Sequence, residues 1–233
     1  MKNLKENLSG IIFDMDGTII DTEHVWGTAN LRLLQENGIH EITPEQELLL
    51  EAMCGQEMSV CMEQMREAFK IKKTNPDLCR DMIAHARQLL REEINYIKGF
   101  QAFHKRLQEA GIPTSIATNC DPESLTHLIE KMNFQEYFGQ NIYCIAHVEN
   151  KAKPDPAVFY HAAEKIGANP ERCIVFEDSL FGFHAAQAAG MKCIAVENKY
   201  NKTFHKDHTH TAIASYDEAE EAIKSLITKH WSP

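Results

Sequence analysis

The sequence predicts an α/β protein, in which a Rossmann-like parallel sheet carries helices on both faces and an all-helical segment interrupts it. Short β-branched or aromatic runs alternate with segments of helical apolar spacing, which is the pattern of parallel βαβ units. Residues 23–97 break this alternation. The length of 233 residues suits one core domain with a smaller inserted one.

Five segments are predicted to be strands of one sheet, because each is a short apolar run that ends in polar residues. They are residues 10–13, 114–119, 141–145, 173–178 and 192–196. The predicted helices between them are residues 99–110, 122–132, 156–166 and 180–189. In an open parallel sheet, ligands bind beyond the carboxyl ends of the strands. The polar residues that follow these strands are therefore the candidate site.

The interrupting segment has helical apolar spacing and no convincing strand. Its predicted helices are residues 25–37, 45–53, 60–69 and 77–97. We expect residues 1–22 and 98–233 to form the core, and residues 23–97 to form a helical cap that closes over the sheet edge as a lid. Four methionines at helix-like spacing are expected to fill the cap interior: Met53, Met58, Met62 and Met65.

The charge of the chain limits its partners. It has 24 Lys and Arg against 34 Asp and Glu, a net charge of −10. This balance lacks the positive field that sequence-independent binding to nucleic acid or anionic lipid requires. We expect a monomer that binds a small molecule, with no nucleic-acid or membrane partner. For an anionic ligand, the site must supply positive charge from a metal ion, a lysine or backbone amides.

Cysteine usage points to a reducing environment. The seven cysteines form an odd set with no C-x-x-C pair, so we expect free thiols. Residues 1–14 lack the apolar stretch of a secretory signal, and no segment approaches a membrane span. We therefore predict a cytoplasmic protein. His205, His208 and His210 lie in a polar stretch without metal-ligand spacing, and we expect them to be loop residues.

An acidic pair follows the first predicted strand. Asp14 and Asp16 are two residues apart, so an extended backbone places both carboxylates on the same side. Asp-x-Asp alone is a weak pattern that is also typical of a structural turn. Gly17 lets the chain turn with its amides toward an anion, and the Thr18 hydroxyl is placed to fasten that turn.

Four segments follow one another in order at predicted strand ends: FDMDGTI at 13–19, IATN at 116–119, Lys153-Pro154, and FEDS at 176–179. They resemble the four motifs of the haloacid dehalogenase superfamily of phosphohydrolases. The position of the insertion, between the first and second motifs, resembles the β-phosphoglucomutase-like branch. Members of that branch are mostly sugar-phosphate or related phosphatases, with a few mutases.

The resemblance implies a helical cap, a Mg²⁺ ion and two successive displacements at phosphorus. Asp14 would be the nucleophile and would form an aspartyl phosphate. Asp16 would protonate the leaving alkoxide and then activate the attacking water.

The same resemblance implies how the charge of the phosphate is balanced. Lys153 would place a positive charge on the phosphoryl oxygens, and Thr118 and Asn119 would supply neutral donors. The implied metal ligands are Asp14, the backbone carbonyl of Asp16, Asp178 and, through water, Glu177.

The chain departs from the family pattern at three places. Ala152 stands where Gly commonly precedes the third-motif lysine, and Lys98-Gly99 stands where Pro-Gly often closes the cap hinge. Both leave the reacting groups intact. Trp26 stands where mutases of this branch carry a His that assists the general acid, and this favours a phosphatase.

We therefore predict a Mg²⁺-dependent phosphatase that acts on a small organic phosphate monoester such as a sugar phosphate. A sugar-phosphate mutase would use the same aspartyl phosphate. A non-catalytic, receiver-like phosphate-binding module is disfavoured by the long helical insertion. Dehalogenation is disfavoured because Asp16 and Asp178 would have no role in displacing halide.

Overall fold

The computed structural model describes residues 4, 7–53, 56–91, 94–199, 201 and 205–231. Within these residues, six strands form one sheet. They are β1 (Gly10–Phe13), β2 (Thr114–Thr118), β3 (Ile142–Cys144), β4 (Cys173–Glu177), β5 (Lys192–Val196) and β6 (Thr211–Ile213). All neighbours in the sheet are parallel, and the order is β3-β2-β1-β4-β5-β6. The predicted fold class is confirmed.

Helices connect these strands and make up the insertion. They are α1 (Glu23–Glu36), α2 (Pro44–Ala52), α3 (Met58–Ala68), α4 (Asn75–Leu89), α5 (Phe100–Ala110), α6 (Pro122–Lys131), α7 (Phe134–Phe138), α8 (Ala157–Lys165), α9 (Leu180–Ala188), α10 (His205–His208) and α11 (Ala219–His230). The chain divides into two compact units. One, Met1–Asp21 with Asn95–Pro233, contains the sheet, and the other, Thr22–Ile94, contains α1 to α4.

Strand β1 lies inside the sheet and all four of its residues are buried. Buried parallel strands are apolar on both faces, because helices cover each side of the sheet. Phe13 packs in an aromatic cluster with Phe176 at 5.2 Å and Phe100 at 5.7 Å between ring centroids. Ile12 belongs to a second buried cluster that includes Phe159 and Phe183. The two clusters fix the strand that precedes Asp14.

The inserted unit has its own apolar interior. Met53, Met62 and Met65 are buried, as predicted, and Met58 is half-buried. Its surface carries ion pairs such as that of Lys73, which lies just before α4, with Asp81 in α4.

The last predicted helix of the insertion was too long. Helix α4 ends at Leu89, and Tyr96 instead forms an antiparallel bridge with Ile20. Asp21 N donates to Asn95 O at 2.9 Å, and Ile97 N donates to Ile19 O at 2.8 Å. Residues 19–21 and 95–97 therefore form a short two-stranded ribbon, because their backbone groups find partners in each other rather than in a helix.

The histidine prediction was wrong for His205 and His208. Both lie in the one-turn helix α10. His205 is buried, with Nε2 at 3.0 Å from the Glu197 carboxylate. His210 follows the helix, and its Nδ1 accepts from Cys193 N at 3.2 Å. These side chains have structural contacts that tie the segment after β5 to the sheet.

The described cysteines are free thiols: Cys61, Cys79, Cys120, Cys144, Cys173 and Cys193. Cys54 lies outside the described residues. Across the described helices, none has both the length and the apolar character that crossing a membrane would need.

Candidate active site

The candidate site lies at the carboxyl end of β1, where its two neighbours also end. Phe13 pairs in register with Ile116 of β2 and Phe176 of β4. Asp14 N continues the pairing by donating to Phe176 O at 2.9 Å. Residues that follow these three strands therefore meet at one edge of the sheet.

Lys153 contacts both the residue that follows β1 and the last residue of β4. Its Nζ lies 2.5 Å from Asp14 Oδ1 and 2.8 Å from Glu177 Oε1. The side chain is 2 % exposed, and its ammonium lies 4.7 Å from the centroid of the Phe159 ring. Charge-assisted hydrogen bonds of this kind are about twice as strong as neutral ones. The lysine is thus held in place by two carboxylates.

The backbone of Lys153 is anchored to the second strand end. Its N–H donates to Asn119 Oδ1 at 2.9 Å, and its peptide bond to Pro154 is cis. Thr118 is buried, and its Oγ1 accepts from Cys120 N at 3.0 Å. Asn119 therefore joins the site through Lys153, whereas the described contact of the Thr118 hydroxyl is within its own turn.

Glu177 is fully engaged by neighbours. While Oε1 accepts from Lys153, Oε2 accepts from Asp178 N and Ser179 N, both at 2.7 Å, and from Ser179 Oγ at 3.0 Å. A Cβ on Gly182, in the first turn of α9, would lie 1.8 Å from Glu177 Cδ. Only glycine leaves room for this carboxylate.

Asp178 is held on both of its carboxylate oxygens. Oδ1 accepts from Thr18 Oγ1 and Oδ2 accepts from Asn198 Nδ2, each at 3.0 Å. Gly17, with φ +74°, also lies close to this carboxylate, since a Cβ there would lie 2.2 Å from Asp178 Oδ2. The Thr18 carbonyl in turn accepts from the buried Tyr216 hydroxyl at 3.1 Å. The Thr18 hydroxyl therefore joins the turn after β1 to the end of β4.

Asp16 lies in that same turn and is less buried than Asp14. Its backbone pairs with Ile20, and Gly17 N donates to Ile20 O at 2.8 Å. The negative charge of Asp16 contributes to the raised pKa of Asp14, which places the two carboxylates in each other's field. The structure thus brings Asp14, Lys153, Glu177 and Asp178 into one network, with Asp16 beside it.

The network contains three buried carboxyl groups and one ammonium group. Asp14, Glu177 and Asp178 are 7 %, 1 % and 5 % exposed. Burial raises the pKa of Asp14 far above its usual range, and Lys153 only partly opposes this. Burial, Glu177 and Asp14 also raise the pKa of Asp178.

For Lys153, nearby charges outweigh the effect of burial on the pKa. Burial disfavours its charge, but the Asp14 and Glu177 carboxylates outweigh burial and raise the pKa of the ammonium above its usual range. Lys153 is therefore a fixed cation, and one cation cannot neutralise three buried carboxyl groups when all of them are ionised.

A divalent cation fits these carboxyl groups in their ionised form and the available oxygens. Within the part of the chain that the structure describes, no group of three His, Cys, Asp or Glu side chains forms a complete metal site. Mg²⁺ does not need one, because it usually keeps several waters and binds through one or two carboxylates. Asp14 and Asp178, with a backbone oxygen of the turn after β1, would be the donors for such an ion.

Sequence reasoning missed several residues that build the site. Asn198 and Asn201 follow β5, Tyr216 follows β6, and Gly182 lies in α9. The signal for the two asparagines was available in principle, because they also follow the carboxyl end of a predicted strand. No pattern in the sequence marks Tyr216 or Gly182, whose contacts are with distant segments.

Comparison with known proteins agrees with this geometry. The chain matches the family model described as haloacid dehalogenase-like hydrolase over residues 11–196. It is 27% identical over 197 residues to fructose-1-phosphate phosphatase YqaB of Escherichia coli (strain K12), covering 82% of this chain and 97% of that protein. It is 26% identical over 187 residues to 6-phosphogluconate phosphatase of the same strain, covering 79% and 80% of the two chains.

A solved structure has the same fold. ATU0790 of Agrobacterium tumefaciens str. C58, a conserved haloacid dehalogenase-like protein of unknown function, superimposes with a TM-score of 0.79 at 26% identity. The similarity covers 94% of this chain and 99% of that one. Because the family match spans most of the sequence and includes every strand end of the site, this chain belongs to the haloacid dehalogenase-like hydrolases.

Proposed function

We propose that this hydrolase is a phosphatase that cleaves a small phosphate monoester, with a sugar phosphate as the favoured class, using Mg²⁺ and an aspartyl phosphate. The observation that carries the proposal is the buried Lys153 held between Asp14 and Glu177, next to Asp178. Cleavage of a phosphate monoester dianion requires a nucleophile and positive charge at the same place, and Asp14 and Lys153 would supply them. Relatives named as fructose-1-phosphate and 6-phosphogluconate phosphatases support the substrate class.

In the first step, a carboxylate oxygen of Asp14 attacks phosphorus, and the bond from phosphorus to the ester oxygen breaks. Asp16 gives its proton to the departing alkoxide. In the second step, a water molecule attacks the phosphorus of the aspartyl phosphate, and Asp16 takes a proton from that water. Inorganic phosphate leaves, and both aspartates return to their starting states.

Lys153 offsets the repulsion between the Asp14 carboxylate and the phosphate. It is already in contact with Asp14, so its charge needs no rearrangement when the substrate binds. Asn119 fixes the lysine backbone, and Thr118 occupies the turn beside it.

Glu177 has a different role in this proposal from the one expected from the sequence. Its Oε1 contacts the Lys153 ammonium, whose charge repels a cation, and its Oε2 accepts three hydrogen bonds from Asp178 and Ser179. We therefore assign Glu177 to holding the lysine and the turn.

Asp14, Asp178 and the Asp16 carbonyl would hold Mg²⁺. When bound, the ion supplies positive charge to the phosphoryl group and balances the buried carboxylates.

The test is phosphate release from a panel of phosphate monoesters, led by fructose 1-phosphate and 6-phosphogluconate, with Mg²⁺ and with EDTA. We expect Mg²⁺-dependent release of inorganic phosphate from at least one sugar phosphate. Conversion of β-glucose 1-phosphate to glucose 6-phosphate, in place of phosphate release, would identify a mutase. Stable phosphorylation by acetyl phosphate with no turnover would indicate a receiver-like module.

A further inference from the structure

Two asparagines after β5 contact the residue that we assign to the metal. Asn198 and Asn201 bond each other reciprocally: Asn198 N donates to Asn201 Oδ1 at 3.1 Å, and Asn201 N donates to Asn198 Oδ1 at 3.0 Å. The pair forms a compact turn at the carboxyl end of the strand, beside the end of β4.

Asn201 ties this turn to the sheet. It is 1 % exposed, and its Nδ2 donates to Asp178 O and to Val196 O, both at 2.8 Å. One amide group therefore bridges the chain segments at the ends of β4 and β5. Burying an amide is costly unless its hydrogen bonds are made, and here they are made.

The hydrogen bonds with Asn201 orient the Asn198 side chain. With its Oδ1 engaged by Asn201, its Nδ2 points to Asp178 Oδ2 at 3.0 Å. Thr18 bonds the other oxygen of the same carboxylate. The orientation of Asp178 is thus set by two neutral donors on opposite sides.

The neutrality of these donors matters for a cation. Each carboxylate oxygen has two acceptor positions, so one hydrogen bond leaves a lone pair for a metal. A lysine or arginine at residue 198 would bring positive charge that repels the ion. Burial and the nearby Glu177 and Asp14 carboxylates disfavour the ionised form of Asp178. Without a donor at residue 198, the Asp178 carboxylate would be able to rotate away from these two groups.

We propose that Asn198 is a positioning residue that orients the Asp178 carboxylate for Mg²⁺, and that Asn201 holds Asn198 in place. The inference rests on the proposed function, because it assumes that Asp178 holds the ion. Residues that hydrogen-bond metal ligands commonly change metal affinity by 10- to 100-fold when they are replaced.

The test is calorimetric titration of Mg²⁺ into the protein without substrate. We expect Asn198→Ala to raise the dissociation constant about 10-fold or more, and to lower phosphate release more at limiting than at saturating Mg²⁺. Asn201→Ala should shift Mg²⁺ binding in the same direction and also lower the melting temperature in EDTA. Asn169→Ala is the matched control, because this exposed asparagine accepts from Glu171 N, in a different turn.

A second substitution at residue 198 keeps the inference testable if Asn198→Ala does not fold. Asn198→Ser keeps a polar side chain that is too short to reach Asp178, so it should show the same weakened binding. Wild-type affinity in both folded variants, or an equal shift in Asn169→Ala, overturns the inference while the proposed function stands. If the wild-type protein neither binds Mg²⁺ nor releases phosphate, the proposed function fails and this inference fails with it.

Discussion

Lys153 and Asp14, which are 139 residues apart in the sequence, meet as a buried ion pair with 2.5 Å between Nζ and Oδ1. The chain brings them together because Asp14 follows the buried strand β1, while Asn119, at the end of the neighbouring strand β2, holds the backbone of Lys153. Breaking such a pair leaves one charge buried without its partner, and that is costly. Replacement of either residue should therefore affect both catalysis and folding.

Lys153→Met should lower kcat/KM by about 10² to 10³, because the variant loses fixed positive charge at the phosphoryl group. Steady-state kinetics at saturating Mg²⁺ measures this. The control is Lys151→Met, because Lys151 forms an exposed ion pair with Glu149 at 3.1 Å and exposed pairs contribute little. Equal losses in the two variants would show that Lys153 has no special role.

Asp14→Asn should reduce turnover by about 10⁴ or more, the size of loss typical of a removed nucleophile. Acid quenching during turnover, followed by peptide mass spectrometry, should find phosphate on the wild-type peptide that contains Asp14. The variant should carry none. A phosphate adduct on another residue would assign the nucleophile elsewhere.

Asp178→Ala should raise the half-saturating Mg²⁺ concentration by more than Glu177→Ala does, because Glu177 Oε1 already contacts the Lys153 ammonium, which repels a cation, and Oε2 accepts three hydrogen bonds. Activity titrated against Mg²⁺ compares the two variants. Glu177→Ala should instead lower kcat at saturating metal, since Lys153 loses one of its two carboxylate partners. Equal shifts in half-saturating Mg²⁺ would place both acids at the ion.

Gly182→Ala should destabilise the protein by about 1–3 kcal/mol, because the new methyl group overlaps the Glu177 carboxylate and forces it to move. Activity should fall with it, since Glu177 holds Lys153. Gly27→Ala is the control: this glycine of α1 has open space at its Cβ position, and alanine there should stabilise the helix by up to about 1 kcal/mol. Urea unfolding measures both changes.

Stability should fall as the pH drops from about 6.5 to 4, in part because of His104. Its ring is buried in the aromatic cluster beside Phe138, and burial lowers the pKa of His104 to about 4. The unfolded chain takes up the proton near pH 6.5, before the folded state does, so this histidine alone accounts for a loss of about 3 kcal/mol across that range.

Unfolding in urea at pH 7 and pH 5, for wild type and His104→Leu, isolates this contribution. The variant loses the hydrogen bond between His104 Nε2 and Thr114 Oγ1, so it should be less stable at pH 7. Its stability should nevertheless change less between the two pH values, by about 2 kcal/mol. An unchanged difference would mean that other groups cause the acid sensitivity.

The sequence predicts the inner strands well, because the signal for each strand is local. Residues 10–13 are apolar throughout, and such a run followed by Asp14 has few other interpretations in an alternating α/β chain. The same reasoning places Glu177 and Asp14 near each other, since strand ends meet at one edge. Lys153 lies nine residues past β3, and its place in the site was expected from the family resemblance instead. Strand β6 was missed because two of its three residues are only partly buried and the strand pairs with β5 alone.

Features that depend on distant partners were beyond sequence reasoning. Apolar residues continue past Leu89 to Ile94 and Ile97, which favours a longer helix, yet the backbone there pairs with residues 19–21. His205 reads as a polar loop residue until its contact with Glu197 is seen. The role of Asn198 depends on its hydrogen bond to Asp178, 20 residues earlier.

The ribbon formed by residues 19–21 and 95–97 has a consequence for how this protein can diverge. Because the two segments hydrogen-bond each other, the sheet-containing unit holds the ends of the inserted segment side by side. For the sheet, everything between them is one closed insertion whose two ends are already held together. Mutations, insertions and deletions within that segment can therefore accumulate over evolutionary time while β1 keeps its register and Asp14 keeps its place.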